Sequence, residues 1–397
     1  MKNIFYSLFT GIFVFTSCSL NNDGFKISYD HIPQMKLTSS KPTYIDVDGA
    51  TKISEESFFK NKTFNISFTK LDNTVPIGTI EKMRVYKDRF YFLSEDKLYV
   101  YNSKSGKFLF MIDAKGHGHN EYILLRDFQV LPKEELIMCI DDMQKKLFFF
   151  SMKDGKLVKS INSLIGTPYV RKMGNLYFHD VLFGNDFNDD ETWQILVSNG
   201  KEFKRKGFRI FPIQKNAMRN NIYETNSGIT FAPLFSDTIY HINKKLQYSV
   251  SYIFKNKHSI WSMRNEELDF KNSQHAEKKS SYSYLASDTF WESNNGILFQ
   301  MAVSDKDFRE NLMTYYYDKI SKENLLIETS WSGPINYVTL PDQLMYNDSN
   351  TYYGIFADMH SLKSYINPKF VKHNGFKKLL SDAKSGDNPV IMSFEIK

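Results

Sequence analysis

The chain has 397 residues, and 51 lysines and arginines against 45 aspartates and glutamates give it a net charge of +6. The basic residues form only short clusters among acids, and this distribution excludes a nucleic-acid partner. Aromatic residues make up 16% of the chain, and because such side chains suit the pleated, half-buried surface of a strand, the composition favours an all-β protein.

The first residues have the pattern of a lipoprotein signal peptide, which we place at residues 1–17. A single early lysine precedes the apolar run Ile4 to Phe15, which is shorter than the roughly 20 residues that span a bilayer. Ser17 and Cys18 follow this run in a Phe-Thr-Ser-Cys sequence that resembles the lipobox of Bacteroidota lipoproteins, and this resemblance implies that Cys18 carries a lipid that anchors the protein to the membrane. A plain secretory signal with an incidental cysteine is the alternative. The second cysteine, Cys139, is expected to be buried.

Residues 18–43 are polar and loosely patterned, so we expect a tether between the lipid and the folded domain. The folded domain is predicted at residues 44–397. It opens with a short strand, Tyr44 to Val47, and a helical turn from Glu55 to Phe59, for which Ser54 is the candidate N-cap.

A unit of apolar strands joined by polar turns then recurs along the domain. Gly106, Gly155 and Gly200 mark one of these turns and are spaced by 49 and 45 residues, which is the period of propeller blades. Lys245 stands at the corresponding position of the fourth unit. We therefore predict an all-β fold, a six-bladed β-propeller with four-stranded antiparallel blades.

The sixth blade needs strands from both ends of the domain. Its predicted innermost strand is Tyr337 to Leu340, and counting strands leaves it one short. Phe64 to Leu71 alternates before the first blade, and we expect it to pair with the C-terminal strand Pro389 to Ile396, since this closes the ring and removes exposed edges. Small helical insertions are predicted at Asn256 to Ser281 and at Pro368 to Lys384.

Several short motifs carry a resemblance to a known family. They are the Phe-Thr-Ser-Cys sequence ending at Cys18, the segment Leu71 to Ile80, Gly116-His-Gly-His-Asn-Glu-Tyr122 with Asp127 and Phe128 after it, Ser236-Asp-Thr-Ile-Tyr240, and Asn388-Pro389. In these motifs the chain resembles the six-bladed β-propeller lipoproteins of Bacteroides and its relatives, which have NHL-like blades. His119 departs from the pattern, where proline is usual. The resemblance implies a propeller in the cell envelope and supplies no catalytic residue.

Three side chains of the glycine-rich corner are candidate ligand-binding residues. His117, His119 and Glu121 alternate, so in an extended segment they would share one face, as metal ligands do. Their alternative role is structural, because the glutamate can accept backbone N–H groups at a turn. The acidic segment Asn185 to Glu191 offers oxygens that suit Ca²⁺ but lacks the glycine of an EF-hand loop. We therefore expect no metal or other cofactor, and Ca²⁺ or another divalent cation is the alternative.

Trp261 is the tryptophan that we expect to contact a ligand, because it lies in the polar insertion rather than in a blade core. The chain has no Gly-x-Ser-x-Gly or His-Glu-x-x-His motif, and no catalytic residue is predicted. The leading hypothesis is a monomeric outer-membrane lipoprotein, facing the periplasm or the cell surface, that binds a glycan, a peptide or an envelope protein. The alternative is a metal-dependent hydrolase or lyase with its site at the mouth of the propeller channel.

Overall fold

The protein is described here by a computed structural model that covers residues 31–181, 193–211, 221–225, 227–263, 282–304, 310–328 and 337–397. These residues form six sheets and a few short helices. None of the described helices combines the length and the apolar character that crossing a membrane requires. The predicted all-β class is confirmed.

The N-terminal segment lies against the outer edges of other blades before it contributes a strand to its own. Its elements are β1 (Lys36–Leu37), β2 (Thr43–Asp46), β3 (Thr51–Ser54), α1 (Glu55–Asn61) and β4 (Thr63–Lys70). Ser54 caps α1 as predicted, because its hydroxyl accepts a hydrogen bond from the Ser57 backbone N–H at 3.3 Å. Ile32 and Met35 are buried, and β1 pairs with a blade strand, so this part of the segment predicted as a tether packs on the propeller. The bounds of the tether, 18–43, stay a prediction.

The first three blades are four-stranded antiparallel sheets, each in chain order. The first comprises β5 (Lys82–Tyr86), β6 (Arg89–Ser94), β7 (Lys97–Asn102) and β8 (Phe108–Ile112). The second comprises β9 (Asp127–Leu131), β10 (Leu136–Asp141), β11 (Lys146–Ser151) and β12 (Leu157–Asn162). The third comprises β13 (Tyr169–Met173), β14 (Leu176–Asp180), β15 (Trp193–Ser198) and β16 (Phe203–Arg209).

The fourth and fifth blades each gain strands from the N-terminal segment. The fourth comprises β17 (Asn221–Glu224), β18 (Gly228–Ala232), β19 (Thr238–Asn243) and β20 (Gln247–Lys255), and the fifth comprises β21 (Tyr282–Glu292), β22 (Gly296–Ser304), β23 (Glu310–Asp318) and β24 (Asn324–Glu328). β1 and β2 pair in parallel with β20, and β3 pairs in parallel with β24. These outer edges are thereby covered, which protects them from pairing with another chain.

The sixth blade comprises β25 (Gln343–Asp348), β26 (Thr351–Phe356), β27 (Val390–Ile396) and β4. Between β26 and β27 lie α2 (Met359–Leu362), a 3₁₀ helix (Pro368–Phe370) and α3 (Asn374–Asp382), which agrees with the helical insertion predicted there. The prediction of an innermost strand at Tyr337 to Leu340 is wrong, since β25 has that place. Val338 is buried in the core cluster that contains the phenylalanines of α1, and the next two residues, Thr339 and Leu340, donate hydrogen bonds to Glu55 of that helix. The segment therefore packs beside α1 and is not part of a strand ladder.

The chain start and the chain end close the ring as predicted. β4 pairs antiparallel with β27, and the Ser67 and Ser393 hydroxyls meet at 2.7 Å although they lie 326 residues apart. The Asn388 side-chain amide reinforces this junction by donating to the carbonyl oxygens of Asp72 at 2.6 Å and Val75 at 2.8 Å.

The six innermost strands form a continuous ring. Each of β5, β9, β13, β17, β21 and β25 contacts the next, and β25 contacts β5. They line a central channel, and buried aliphatic and aromatic side chains pack between neighbouring blades. Cys139 is buried and free in the core between the first and second blades.

The turn glycines have the backbone geometry that the repeat predicts. Gly106, Gly155 and Gly200 have φ angles of 69°, 71° and 84°, a region that favours glycine. A Cβ atom on Gly106 would lie 2.0 Å from the Lys70 carbonyl oxygen. Glycine at this turn therefore also allows the close approach of β4 at the ring closure.

Candidate binding site at the channel mouth

A network of charges joins the innermost strands around the starts of β5 and β9. Lys82, Asp127 and Arg171 are buried in it, and Glu224 and Asp288 are partly exposed at its margin. Lys82 begins β5 and Asp127 begins β9, and their Nζ and Oδ1 atoms lie 3.0 Å apart. Arg171 of β13 donates from Nη1 to the other Asp127 oxygen at 2.6 Å, and its Nε lies 3.2 Å from Oε2 of Glu224 in β17. Asp288 of β21 lies 4.0 Å from Lys82. Five blades thus contribute a charge to one network.

The electrostatics of this network stabilise the charged form of each central group. Burial alone would raise the pKa of Asp127, but the positive charges of Arg171, Lys82 and Arg84 outweigh it and hold that pKa well below its usual range. Burial lowers the pKa of Arg171, and the charges of Asp127 and Glu224 reverse the effect and raise it. Because buried charges are costly unless they are paired, we interpret the network as the structural closure of this end of the channel.

Side-chain amides join neighbouring innermost strands in the same region. Gln129 exchanges two hydrogen bonds with the Lys172 backbone, donating to its oxygen at 3.0 Å and accepting from its nitrogen at 2.7 Å. Asn221 of β17 likewise makes two hydrogen bonds to the backbone of β21. It donates to the Ala286 oxygen and accepts from the Thr289 N–H, both at 3.1 Å. These contacts hold the strands at fixed spacing around the channel.

At the opposite ends of the innermost strands the channel opens into a cavity of about 800 Å³. The ends of β5, β9, β17, β21 and β25, with the turns that follow them, supply most of its wall. Its polar lining consists of Arg84, Tyr86, Glu224, Thr225, Ser227, Thr230, His241, Ser251, Tyr252, Glu292, Ser293, Asn294, Lys319, Tyr346, Asn347, Asp348 and Ser349. We call this space the mouth cavity. Its volume is that of a site for a small molecule.

Glu292 organises the part of the wall that joins the fourth, fifth and sixth blades. Its Oε1 accepts hydrogen bonds from the Tyr252 hydroxyl at 2.5 Å and from Lys319 Nζ at 2.6 Å, and its main-chain oxygen accepts from the Asn347 amide at 2.6 Å. Burial and the Glu292 charge both raise the pKa of Tyr252, so the phenol stays protonated. This wall is therefore preorganised and needs no rearrangement to present its polar groups.

Arg84 lies deeper, where the mouth cavity meets a smaller space of about 110 Å³ that it also lines. Its guanidinium carbon is 5.6 Å from the centre of the Tyr346 ring and 5.8 Å from that of Phe128. Its Nη1 donates to the Met83 carbonyl oxygen at 2.8 Å. The two rings hold the planar cation by cation–π contacts.

The glycine-rich corner lies apart from the mouth cavity. His117, His119 and Glu121 are exposed in a turn, so the extended geometry that would give them a shared face is not present. Glu121 Oε2 accepts a hydrogen bond from the Gly118 N–H at 2.8 Å, and a Cβ atom on Gly116 would lie 1.9 Å from the same oxygen. This is the structural role that was the alternative for Glu121. A ligand at the corner stays a prediction.

Trp261 lies in the 3₁₀ helix Ile260–Met263. Its half-buried ring meets the Phe211 ring edge to face at 4.9 Å, beside the buried side chains of Leu234 and Phe235. It does not line the mouth cavity, and its contact with a ligand stays a prediction. Cys18, the acidic segment Asn185 to Glu191 and most of the polar insertion lie outside the described residues.

Among the residues that the structure describes, no group of three or more His, Cys, Asp or Glu side chains could hold a metal ion. The residues of the mouth cavity were missed by the sequence reasoning. One available signal is Lys82-Met-Arg-Val85, where charges alternate with apolar residues in a predicted innermost strand, which places both cations on one face.

Fold and site together define a six-bladed β-propeller with paired charges between its innermost strands and a polar cavity where those strands end. Residues 42–395 match the model of a family described as a domain of unknown function, DUF4934. The chain belongs to this family. A comparison with curated proteins found no match.

Two solved structures are similar to this chain. A Bacteroides fragilis protein that is provisionally described as exported has a TM-score of 0.68 and 16% sequence identity, over 90% of this chain and 100% of that one. A member of the DUF4221 family from Bacteroides vulgatus has a TM-score of 0.47 and 8% identity, over 84% of this chain and 97% of that one. The first likeness supports the fold.

Proposed function

We propose that the protein is an envelope-anchored binding lipoprotein that holds a short glycan in the mouth cavity. The observation that carries this proposal is the preorganised polar wall around Glu292 in a cavity of about 800 Å³. A cavity of that volume accommodates a small ligand better than it accommodates the surface of a partner protein.

The lining has the chemistry that sugars require. Tyr86, Tyr252 and Tyr346 bring aromatic rings with polar edges, and Asn294 and Asn347 bring side-chain amides. Sugar rings have apolar faces and many hydroxyl groups, so they use both kinds of contact. A peptide is the alternative occupant, and binding experiments separate the two.

Binding is favoured over metal-dependent hydrolysis because the acids deeper in the wall already have cationic partners. Glu224 pairs with Arg171, and Glu292 pairs with Lys319. A catalytic metal would need several carboxylates or imidazoles that converge on one point, and these two acids are held apart from each other by different partners.

The binding proposal is tested with the mature chain carrying Cys18→Ser, screened against glycan and peptide arrays. We expect selective retention of oligosaccharides, and a loss of affinity of about tenfold in Tyr252→Ala. Tyr365→Ala is the matched control, since Tyr365 is 53% exposed and does not line the cavity. Retention of peptides alone, or of nothing, would overturn the proposal.

The anchor is tested separately in cells. We expect the wild-type chain to incorporate an alkyne-labelled fatty acid and to fractionate with the outer membrane as a monomer. Cys18→Ala should lose the label and leave the membrane fraction. Label retained in Cys18→Ala would show that the lipid is not on this residue.

A further inference from the structure

Arg84 is a cation at the base of the mouth cavity with unused hydrogen-bonding capacity. A guanidinium has five N–H donors, and Arg84 makes one hydrogen bond within the described residues, to the Met83 carbonyl oxygen. The Phe128 and Tyr346 rings restrict its plane. Its remaining donors are therefore presented in a defined direction.

The neighbouring acids do not neutralise Arg84, because other cations occupy them. Asp127 receives Lys82 on one oxygen and Arg171 on the other. Glu224 pairs with Arg171. No carboxylate in the described part of the chain lies at ion-pair distance from Arg84.

The remaining carboxylate of the wall is at the rim. Asp348 is exposed, and its Oδ1 accepts a hydrogen bond from the Ser349 hydroxyl at 3.3 Å. Among the described residues, Arg84 at the base of the wall therefore has no carboxylate in direct contact, and Asp348 at its edge has no cation at ion-pair distance. Arg84 has N–H donors that an anionic group of a ligand can use.

We propose that Arg84 binds a carboxylate or another oxyanion of the ligand, so that the glycan held in the mouth cavity is an acidic one. This inference rests on the proposed function and specifies its ligand class. A planar guanidinium matches a carboxylate in a bidentate arrangement, and its partial desolvation between two rings strengthens the contact. Lysine would keep the charge but lose the paired donors.

The experiment is calorimetric titration of the mature chain carrying Cys18→Ser with three probes: a trisaccharide of galacturonate, the neutral trisaccharide of galactose, and galactose 6-phosphate. We expect the uronate to bind about tenfold to a hundredfold more tightly than the neutral sugar, as hydrogen bonds between charged groups imply. Arg84→Gln should abolish this preference, and Arg84→Lys should retain part of it.

Arg205→Gln is the matched control. Arg205 is also half-buried, and its Nη1 likewise donates to the carbonyl oxygen of the preceding residue, Lys204, but it lies on β16 outside the mouth cavity. It should leave the uronate affinity unchanged. Melting temperatures of all variants show that they are folded, and Arg84→Lys keeps the test valid if Arg84→Gln does not fold.

The outcomes separate this inference from the function on which it rests. Equal binding of acidic and neutral sugars, or a preference that survives Arg84→Gln, would overturn the inference and leave a glycan site in place. Tighter binding of the sugar phosphate would support the oxyanion site with phosphate as its source. No binding of any probe would overturn both.

Discussion

The two ends of the channel are built largely from the same innermost strands, but they use charge in opposite ways. At the closed end Asp127 is completely buried and has a cation on each oxygen. At the open end Asp348 is exposed, and its one side-chain partner among the described residues is the neutral hydroxyl group of Ser349. The comparison shows two uses of charge in this propeller. A charge that is paired with other charges of the chain stabilises the fold, and a charge without such a partner is available to a ligand.

The contrast is present within one strand. Lys82 and Arg84 are two residues apart on β5, so both side chains lie on the same face of the strand. Lys82 pairs with Asp127 at 3.0 Å, whereas Arg84 contacts two aromatic rings and a carbonyl oxygen. A short step along the channel therefore separates a structural cation from a proposed binding cation.

The largest expected effect is at the closed end. Asp127→Asn leaves Lys82 and Arg171 buried without their shared counter-charge, and breaking a buried ion pair in this way costs about 3 to 5 kcal/mol of the free energy of unfolding. Urea denaturation followed by tryptophan fluorescence measures it. A loss below about 1 kcal/mol would show that the network is not what closes the channel.

A second buried acid sharpens the comparison, because the partners of Glu55 in the part of the chain that the structure describes are neutral. It accepts hydrogen bonds from the Thr339 hydroxyl at 3.0 Å and the Leu340 N–H at 3.3 Å, and burial raises its pKa from 4.5 to about 7. Its contribution to stability is therefore complete below about pH 4.5 and is lost as the pH rises through 7. We expect a change on the order of 3 kcal/mol over this range.

The measurement is the unfolding free energy of wild type and Glu55→Gln at several pH values. Comparison with the variant is necessary because His179 acts in the opposite direction. Burial lowers the pKa of His179 from 6.5 to about 3, so its contribution is lost as the pH falls below 6.5. Parallel pH profiles for wild type and variant would show that Glu55 does not titrate in this range.

A smaller effect on stability is expected in the wall of the open end. Glu292→Gln weakens the contacts with Tyr252 and Lys319, but these groups are partly exposed, so we expect a loss of about 1 kcal/mol. The glycan affinity should fall more steeply than stability, because the wall loses its fixed geometry. Calorimetric titration measures the free energy of glycan binding, and urea denaturation of the same samples measures the free energy of unfolding. An equal fall in these two free energies would contradict a binding role for Glu292.

The smallest effect is expected at the rim. Asp348→Asn removes an exposed charge and should change the unfolding free energy by less than about 0.5 kcal/mol. If Asp348 keeps anions from resting at the rim, the variant should bind the uronate probe slightly more tightly at low salt. Destabilisation comparable to that of Asp127→Asn would remove the distinction between the two ends.

The fold could be predicted because its repeat is marked where glycine is needed, as at Gly106, Gly155 and Gly200. The marker fails in later blades, where Leu246 and Lys322 adopt φ angles of 59° and 65° and nothing in the residue type indicates it. The prediction put the innermost strand of the sixth blade at Tyr337 to Leu340 because Val338 is apolar. Val338 is buried in the core cluster that includes α1, and the apolar character of a residue does not indicate whether a helix or a strand covers it.

The site could not be predicted by motif, because its residues come from different blades and have no common spacing. Tyr252, Glu292 and Lys319 meet through the ring geometry alone. Alternating charges in β5 were the accessible signal, but only the structure shows that Asp127 pairs with Lys82, whereas no carboxylate of the described ranges pairs with Arg84.

The pairing of β4 with β27 has a consequence for how the molecule is made. The contact between Ser67 and Ser393 joins residues that lie 326 positions apart. Because a ribosome adds residues from the N-terminus onward, Ser67 is synthesised long before Ser393. The last blade therefore cannot be assembled until β27 has been synthesised, and until then the unpaired edge of β4 is exposed to chaperones, proteases and neighbouring copies.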